Sequence, residues 1–488
     1  MLKYSVVILF LSLCYFSSYG QNEVLEIPIA YQSTFYDNKE SLAISNEETG
    51  ELVLFIEDNK NSKAYLLNKD LKVESGIVFP SLSNTFKNFI GYQINEDKSY
   101  SIFFSNNSYK KFGELNLDFS NNKSIISELP FKPKKEVYVE SISYKGQFYL
   151  MTATKNSNDV SFYKYNTGRF LKNKTVSFEF IQSKYFNGIT KKAYHRLVSK
   201  GLGSFGSLVK MDINTPNSIE ITSNPNKLYT INNEFIFTFD DFVDKTKIII
   251  LNPESFDLKT LEFDKPTIHQ SEFINHNSYL YDNKIFQIKS SSYSMKFVAK
   301  DFNTKKILKE ITLNKEDSIT FKNTPIIQEG PAFIAGKRTR EMEKTSKFLR
   351  KVSSGDIGIS AYKQNNNYKI VLGSKVEIKT GGGGFSGLPM GGFGPLSVSF
   401  NPTFFAYGGY SSSKSTHIDC LFDDNFEHVK GRISENVFDR IKTYEEFFEN
   451  DIFSKKIKLK NLFRHNKKLY LGYLNSSDRN YHLIEFID

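Results

Sequence analysis

Two glycine-rich stretches carry the spacing of phosphate-binding loops. In GGGGFSGLPMGGFGP, residues 381–395, Gly382, Gly384 and Gly387 satisfy G-x-G-x-x-G. That pattern cradles a pyrophosphate only when a strand precedes it and a helix comes after, because the helix N-terminus supplies the N–H groups. The preceding KIVLGSKVEI is strand-like, but LSVSFNPTFFAYGGY comes next in place of a helix pattern, and no Lys-Ser/Thr pair completes a P-loop. The second stretch, GLGSFGSLVK at 201–210, imitates a kinase phosphate loop with one residue displaced. AYHRLVSK before it reads as helix, and no H-R-D, D-F-G or A-P-E occurs, so it is read as a turn between a short helix and the strand SLVKMDI.

The densest grouping of metal-ligand types is HIDC with DDNFEH: His417, Asp419, Cys420, Asp423, Asp424 and His428. On a strand, His417 and Cys420 point to opposite faces because their separation is odd. Cys420 is therefore read as a small buried apolar residue. Neither H-E-x-x-H nor G-x-S-x-G is present, and no catalytic residue, metal ligand or cofactor is assigned. Asp356 and His195 stand only as candidate contributors to a reactive site.

Chemistry of any kind needs elements to hold it, and these begin with a leader. MLKYSVVILFLSLCYFSSYG has one Lys, an apolar run and small residues before Gln21, the form of a signal peptide over 1–20. Leu13 is bulky where a lipidation site at Cys14 takes a small residue. Cleavage leaves 468 residues (488 − 20) and Cys420 as the single thiol, so no internal disulfide can form and a core must carry stability. With 45 Phe, 28 Tyr and no Trp, that core is rich in aromatic rings. The charge of +10, about +9 without Lys3, is scattered among acidic residues, which suits solubility better than nucleic-acid binding. No later apolar run reaches membrane-spanning length.

Short alternating runs bounded by Asn, Asp, Lys, Ser and Gly fill the rest, as in ELVLFIEDNKNSKAYLLNKDLKVESGIVF at 51–79. The polar turn after the middle strand recurs at Lys69, Ser120, Asn166, Pro253, Asn303 and Asp424, giving gaps of 51, 46, 87, 50 and 121. A unit near 50 residues with four strands is the signature of a propeller blade. Units at 41–79, 86–131, 137–180, 225–263, 277–313, 355–433 and 457–488 make seven; an eighth would be hidden in 183–222. The last unit stops after three strands, while VLEIPIAY at 24–31 has no unit of its own, so the N-terminal strand is expected to complete the last sheet and close a ring.

The whole resembles a seven-bladed β-propeller of secreted bacterial proteins, one domain over 21–488. The resemblance is architectural and touches no characterised family, since W-D dipeptides, S-x-D-x-G-x-T-W boxes and D-x-D-G loops are all missing. Insertions at 183–222, 316–354, 381–413 and 434–454 all enter at the same end of the strands by parity of antiparallel connections. Long loops on a rigid scaffold concentrate function.

Two insertions read as helical. SENVFDRIKTYEEFFEN takes Ser434 as its cap and buries Val437, Phe438, Ile441, Tyr444 and Phe448. KRTREMEKTSKFLRKVSSG turns Met342, Leu349 and Val352 inward and holds seven basic and two acidic residues between Lys337 and Lys351. The expected contact surface comprises Phe385, Phe393, Phe404, Phe405, Tyr407 and Tyr410 with Lys337, Arg338, Arg340 and Arg350. These features imply an exported binding or assembly module of the cell envelope, in the periplasm, at the outer surface or outside the cell, with a protein or polymer partner. The alternative is a propeller hydrolase or lyase acting on carbohydrate or another envelope polymer.

Overall fold

A computed structural model describes residues 21–487 apart from 30–39, 84, 87, 185–187, 189, 199–207, 269–273, 331–338, 376–400, 412–413 and 450–456. The chain divides into two compact units, one built from Met1–Ser81, Phe119–Lys123 and Asp439–Asp488, the other from Leu82–Asp118 and Ser124–Phe438. Strands dominate both, and each strand pairs mainly with its neighbour in sequence.

In the first unit, Ser41–Asn46, Glu51–Ile56, Asn61–Leu67 and Val73–Pro80 form the first sheet. Ile457–His465, Lys468–Asn475 and Asn480–Phe486 form the seventh, and its fourth strand is the N-terminal Gln21–Pro28. That strand runs antiparallel to the last, from Gln21 opposite Phe486 to Pro28 opposite Asn480. The pairing read from the two chain ends is therefore present. The first and seventh sheets share one core, in which Leu52, Leu54 and Ile56 meet Phe463, Tyr470 and Tyr481. Ser41 Oγ adds a hook by donating to the Leu459 carbonyl at 2.6 Å.

The second unit holds five sheets in series. The second comprises Asn88–Ile94, Tyr100–Ser105, Phe112–Asp118 and Lys123–Leu129, whose first residue belongs to the other unit; the third, Glu136–Tyr144, Gln147–Thr154, Asp159–Asn166 and Arg169–Ser177. The fourth has Asn226–Ile231, Glu234–Phe239, Lys245–Leu251 and Leu258–Asp264, and the fifth has Asn275–Tyr281, Lys284–Ser290, Ser294–Asp301 and Ile307–Asn314. Apolar layers join consecutive sheets, as where Phe103 of the second meets Phe148 of the third at 4.4 Å.

Turn chemistry explains the repeat. In the third to seventh sheets, first and second strands are joined by residue pairs with positive φ: Lys145–Gly146, Asn232–Asn233, Asp282–Asn283, Asn365–Asn366 and Asn466–Lys467. Tight hairpins require this left-handed backbone, which Asn, Asp and Gly adopt most readily. In the first, fourth and fifth sheets, third and fourth strands are joined by a turn opened by an Asn or Asp whose side chain accepts backbone N–H groups two to four residues on. Asn68, Asn252 and Asp301 do so, and Leu71, Phe256 and Lys305 then take positive φ.

The sixth sheet departs from the expected order. Asp356–Gln364, Asn367–Lys375 and Ser415–Phe422 pair as a meander, and Asp423 opens the usual turn. The chain beyond that turn is mostly polar and pairs with the sheet only at the bridge between Phe422 and His428. The free edge is taken by the upstream strand Ile326–Glu329, backed by Thr339–Met342. The segment 316–354 is thus part of the sheet as well as a link, because Ile326 offers an apolar side chain to that edge. The region 183–222 contains, among its described residues, a two-residue hairpin, two short helices and the strand Val209–Met211 added parallel to Asn226–Ile231, with no four-stranded sheet of its own.

Fourth strands bury few of their residues, and lysines such as Lys172, Lys174, Lys259 and Lys309 stud them, which disfavours pairing with another chain. If Ile326 belongs to the sixth sheet's core, Ile326→Ala should cost about 2–5 kcal/mol in urea denaturation. Ile307→Ala, at an exposed position of a fourth strand, should stay within about 0.5 kcal/mol of wild type.

Candidate functional site

Three insertions, 183–222, 381–413 and the start of 434–454, are built into one another, and 316–354 is bonded to the fifth and sixth sheets. Helix α1 (Ala193–Leu197) and helix α2 (Ile219–Thr222) come from 183–222, helix α3 (Thr345–Ser354) from 316–354, and helix α4 (Pro402–Ser411) from 381–413. Helix α5 (Val437–Glu449) begins in this unit.

Helix α4 corrects the reading of LSVSFNPTFFAYGGY as non-helical. Asn401 Oδ1 accepts the Phe404 N–H at 3.0 Å, and Pro402 stands in the first turn, where its missing N–H costs nothing. Its start lies well beyond Gly387, so the dinucleotide-loop geometry still fails. A helix apolar on every side must be enclosed, and Phe404, Phe405 and Tyr407 are all buried. Tyr407 and Tyr410 pack on Phe438 at 5.3 and 5.5 Å. Thr403 Oγ1 donates to Asp212 Oδ2 at 2.7 Å, Asn436 Nδ2 to the Tyr410 hydroxyl at 2.8 Å, and the Lys414 N–H to Glu220. Gly409 permits the approach to α2, since a Cβ there would sit 2.6 Å from Ile221 Cδ1. Helix α2 in turn lies against Gly358 of the sixth sheet's first strand. Three of the aromatics expected to form a contact surface are therefore core, with Tyr410 half-buried; Phe385 and Phe393 lie outside the described residues.

The basic segment is half strand and half helix. Thr339–Met342 extends because it pairs with Ile326–Glu329, and α3 starts only at Thr345. Phe348, Leu349 and Val352 face inward, while Lys344, Lys347 and Arg350 are exposed, as is Arg340 on the strand; Lys337 and Arg338 lie outside the described residues. The end of α3 is pinned where Asn275 Nδ2 donates to the Ser353 and Gly355 carbonyls at 2.9 and 2.8 Å. In α5 the cap is Asn436, whose Oδ1 accepts the Phe438 N–H at 2.8 Å, two residues after the expected Ser434. The inward face of Val437, Phe438 and Ile441 is as expected.

Beneath these insertions lies a cluster the sequence reading missed. Asp240 and Lys227 are fully buried, as is the Lys265 side chain. Asp240 Oδ2 is 3.4 Å from Lys227 Nζ, and Oδ1 is 3.5 Å from Lys265 Nζ. Ser278 Oγ and Thr246 Oγ1 donate to the same carboxylate at 2.7 and 2.8 Å. Burial alone would push Asp240 up, but Lys265, Lys227 and these hydroxyls hold it at about 2. Burial pulls Lys227 down to about 8 against the attraction of Asp240. His276, 2.9 Å from Lys265, is driven to about 4 by burial and that ammonium, so it stays neutral.

Lys227 also donates to Asn277 Oδ1 at 2.5 Å, and Asn277 Nδ2 donates to the Ser223 and Ile357 carbonyls. One buried network thus ties the fourth, fifth and sixth sheets to α2. With every ammonium enclosed and hydrogen-bonded, it is a staple rather than a reactive centre. Its signal in sequence was a lysine inside the strand NKLYTI, beside Leu228 and Tyr229.

His195 Nδ1 accepts the Lys192 N–H at 3.2 Å and so serves the start of α1, and Asp356 is exposed at the start of its strand. Cys420 is buried, which pushes its thiol up, and His417 lies instead beside Asp419 and Ser415. Among the described residues no group of three or more His, Cys, Asp or Glu is placed to hold a metal ion, and no helix is long and apolar enough to cross a membrane. The kinase-like turn falls mostly outside the described residues, between helix α1 and the strand Val209–Met211 that bracket it as expected.

No family model and no curated protein matches the chain. Solved structures similar to it include the Nup133 β-propeller domain of Vanderwaltozyma polyspora, at 11% identity over 94% of this chain and 97% of that one, with a TM-score of 0.31. An oligogalacturonate lyase in complex with manganese gives 7% identity, 96% and 98% coverage and 0.31; the Dos1 propeller gives 9%, 93%, 81% and 0.28. At such scores these likenesses say nothing of a ligand or a reaction here. The chain is propeller-like through its own serial four-stranded meanders, and of no characterised family.

Asp240→Asn should cost about 3–5 kcal/mol in urea denaturation at neutral pH, because it strands two buried ammoniums. The Asp240 carboxyl sits below its ordinary 3.8 in the folded state, so its contribution is present above that pH and lost as pH falls towards about 2. That acid limb should be missing from the variant. Tyr407→Ala should cost about 3–5 kcal/mol by the same measurement, as for a large core residue.

Proposed function

We propose that this chain is an exported, non-enzymatic binding or assembly module of the bacterial cell envelope, in which seven sheets form the blades of one ring. Ring closure is supported by the core shared between the first and seventh sheets and by the first strand completing the last sheet. Export is supported by the leader over 1–20.

The observation that carries the reading is that insertions far apart in sequence interlock through Thr403–Asp212, Tyr410–Asn436 and Lys414–Glu220, while Asn275 of the fifth sheet pins the insertion 316–354 at Ser353. Ordering so many residues costs conformational entropy that loops left in solvent do not incur. The segment 339–354, held by Phe348, Leu349 and Val352 in the core and by Asn275, is ordered as well and forms a platform bearing Arg340, Lys344, Lys347 and Arg350 outward, interleaved with only Glu341 and Glu343. Its partner is a protein or polymer of the envelope with negative charge at the contact. The buried lysines tie the fourth, fifth and sixth sheets to α2 and, being enclosed, offer nothing to a substrate.

The test joins Arg340→Glu, Lys347→Glu and Arg350→Glu in the intact protein, with cross-linking in the native envelope. All three positions are exposed, so stability should move by less than about 0.5 kcal/mol at each. The native protein should mature at Gln21 and give saturable cross-links through 339–354, and the variant should lose most of them. Undiminished cross-linking, or none that saturates in the native protein, removes the proposal.

A further inference from the structure

The N-terminal strand Gln21–Pro28 has little apolar hold on the sheet it completes. Of its residues only Ile27 is well buried, and its register slips between Glu23 and Leu25. Beyond backbone pairing and the contacts of Val24, Leu25 and Ile27 with the core, what fixes it is polar. Asn480 Nδ2 donates to Glu26, and His482, on the neighbouring strand, has both ring nitrogens engaged. Nδ1 is 2.5 Å from Glu23 Oε1, and Nε2 is 3.1 Å from Asp478 Oδ2. An imidazole placed between two carboxylates can donate to both only when it carries two protons. Its other face stacks on Tyr473, with ring centres 5.3 Å apart, and the Tyr473 hydroxyl bonds that of Tyr444 on α5.

We propose that His482 is a pH-sensitive latch: the imidazolium, bridging Glu23 and Asp478, fastens the N-terminal strand to the last sheet, and loss of one proton loosens that strand and bares the edge of Asn480–Phe486. The groups facing it are Glu23 and Glu26 on the docked strand, Asp478 in the preceding turn, Tyr473 on the next strand, and Tyr444 behind it. Burial works against the charge on His482, but Glu23 and Asp478 outweigh it and hold the ring above its usual 6.5. A folded-state value above the unfolded one means that the stabilisation is complete below that pH and fades as pH rises through the folded value. Tyr473 and Tyr444 are both pushed up, chiefly by burial, so neither ionises in that window.

Amide hydrogen exchange of the intact protein, read by peptide at about pH 6 and about pH 9 and corrected for intrinsic rates, tests the latch. Opening of 21–28 should rise several-fold between the two, with Glu51–Ile56 in the same unit unchanged. In His482→Gln the strand should be loose at both pH values, with the difference abolished. Glu23→Gln, at an exposed position, should lower protection at pH 6 and shrink the pH dependence, and it serves if His482→Gln fails to fold. Equal protection of 21–28 at both pH values in the native protein overturns the proposal, as does a pH dependence that survives in either variant at full size.

Discussion

The second strand of each sheet is the constraint on which the other elements depend. Tyr100–Ser105 is buried at every position and Gln147–Thr154 at all but its ends, so both faces of these strands are shut off from water. A four-stranded sheet cannot cover its own two faces, and it gains the stabilisation of those side chains only when another sheet lies against each. Phe103 on Phe148, and Leu52 with Phe463 and Tyr470, are instances of that cover. The fourth strands carry the opposite pattern, exposed and lysine-bearing, because nothing beyond them needs to be kept dry.

The sheets were legible in the sequence because each is local. The polar rulers at Lys69, Asn303 and Asp424 fall in turns whose geometry demands Asn, Asp or a left-handed residue, and this demand recurs with every unit. The pairing of Gln21–Pro28 with the last strand was legible for a different reason, since each end of the chain was visibly incomplete alone. The edge of the sixth sheet was not. Nothing local marks Ile326–Glu329 as the partner of a strand that begins at Ser415, and the ordinary Asp423 turn points to a fourth strand that never forms.

The site was legible in outline and misjudged in its surface. Of the insertions that parity assigns to one end of the strands, 183–222, 381–413 and the start of 434–454 do meet. Counting Phe404, Phe405 and Tyr407 as contact residues took aromatic character as a sign of exposure, whereas a cap-to-cap apolar helix has nowhere to go but inward. The Lys227–Asp240–Lys265 staple escaped because its members stand on three different segments and make sense only together.

The borrowed strand of the sixth sheet also sets an order in time. In the other sheets of the second unit the four meander strands follow one another across short turns, so each sheet can grow as the chain emerges. The hairpin Ile326–Met342 is made early, but its partner Ser415–Phe422 arrives only after two further strands and the whole stretch 376–414. Until then Ile326 stands on an open edge. Contacts that close over so long a loop form late and slowly, so within the second unit the sixth sheet is where a chain emerging from a ribosome is left longest with apolar surface uncovered.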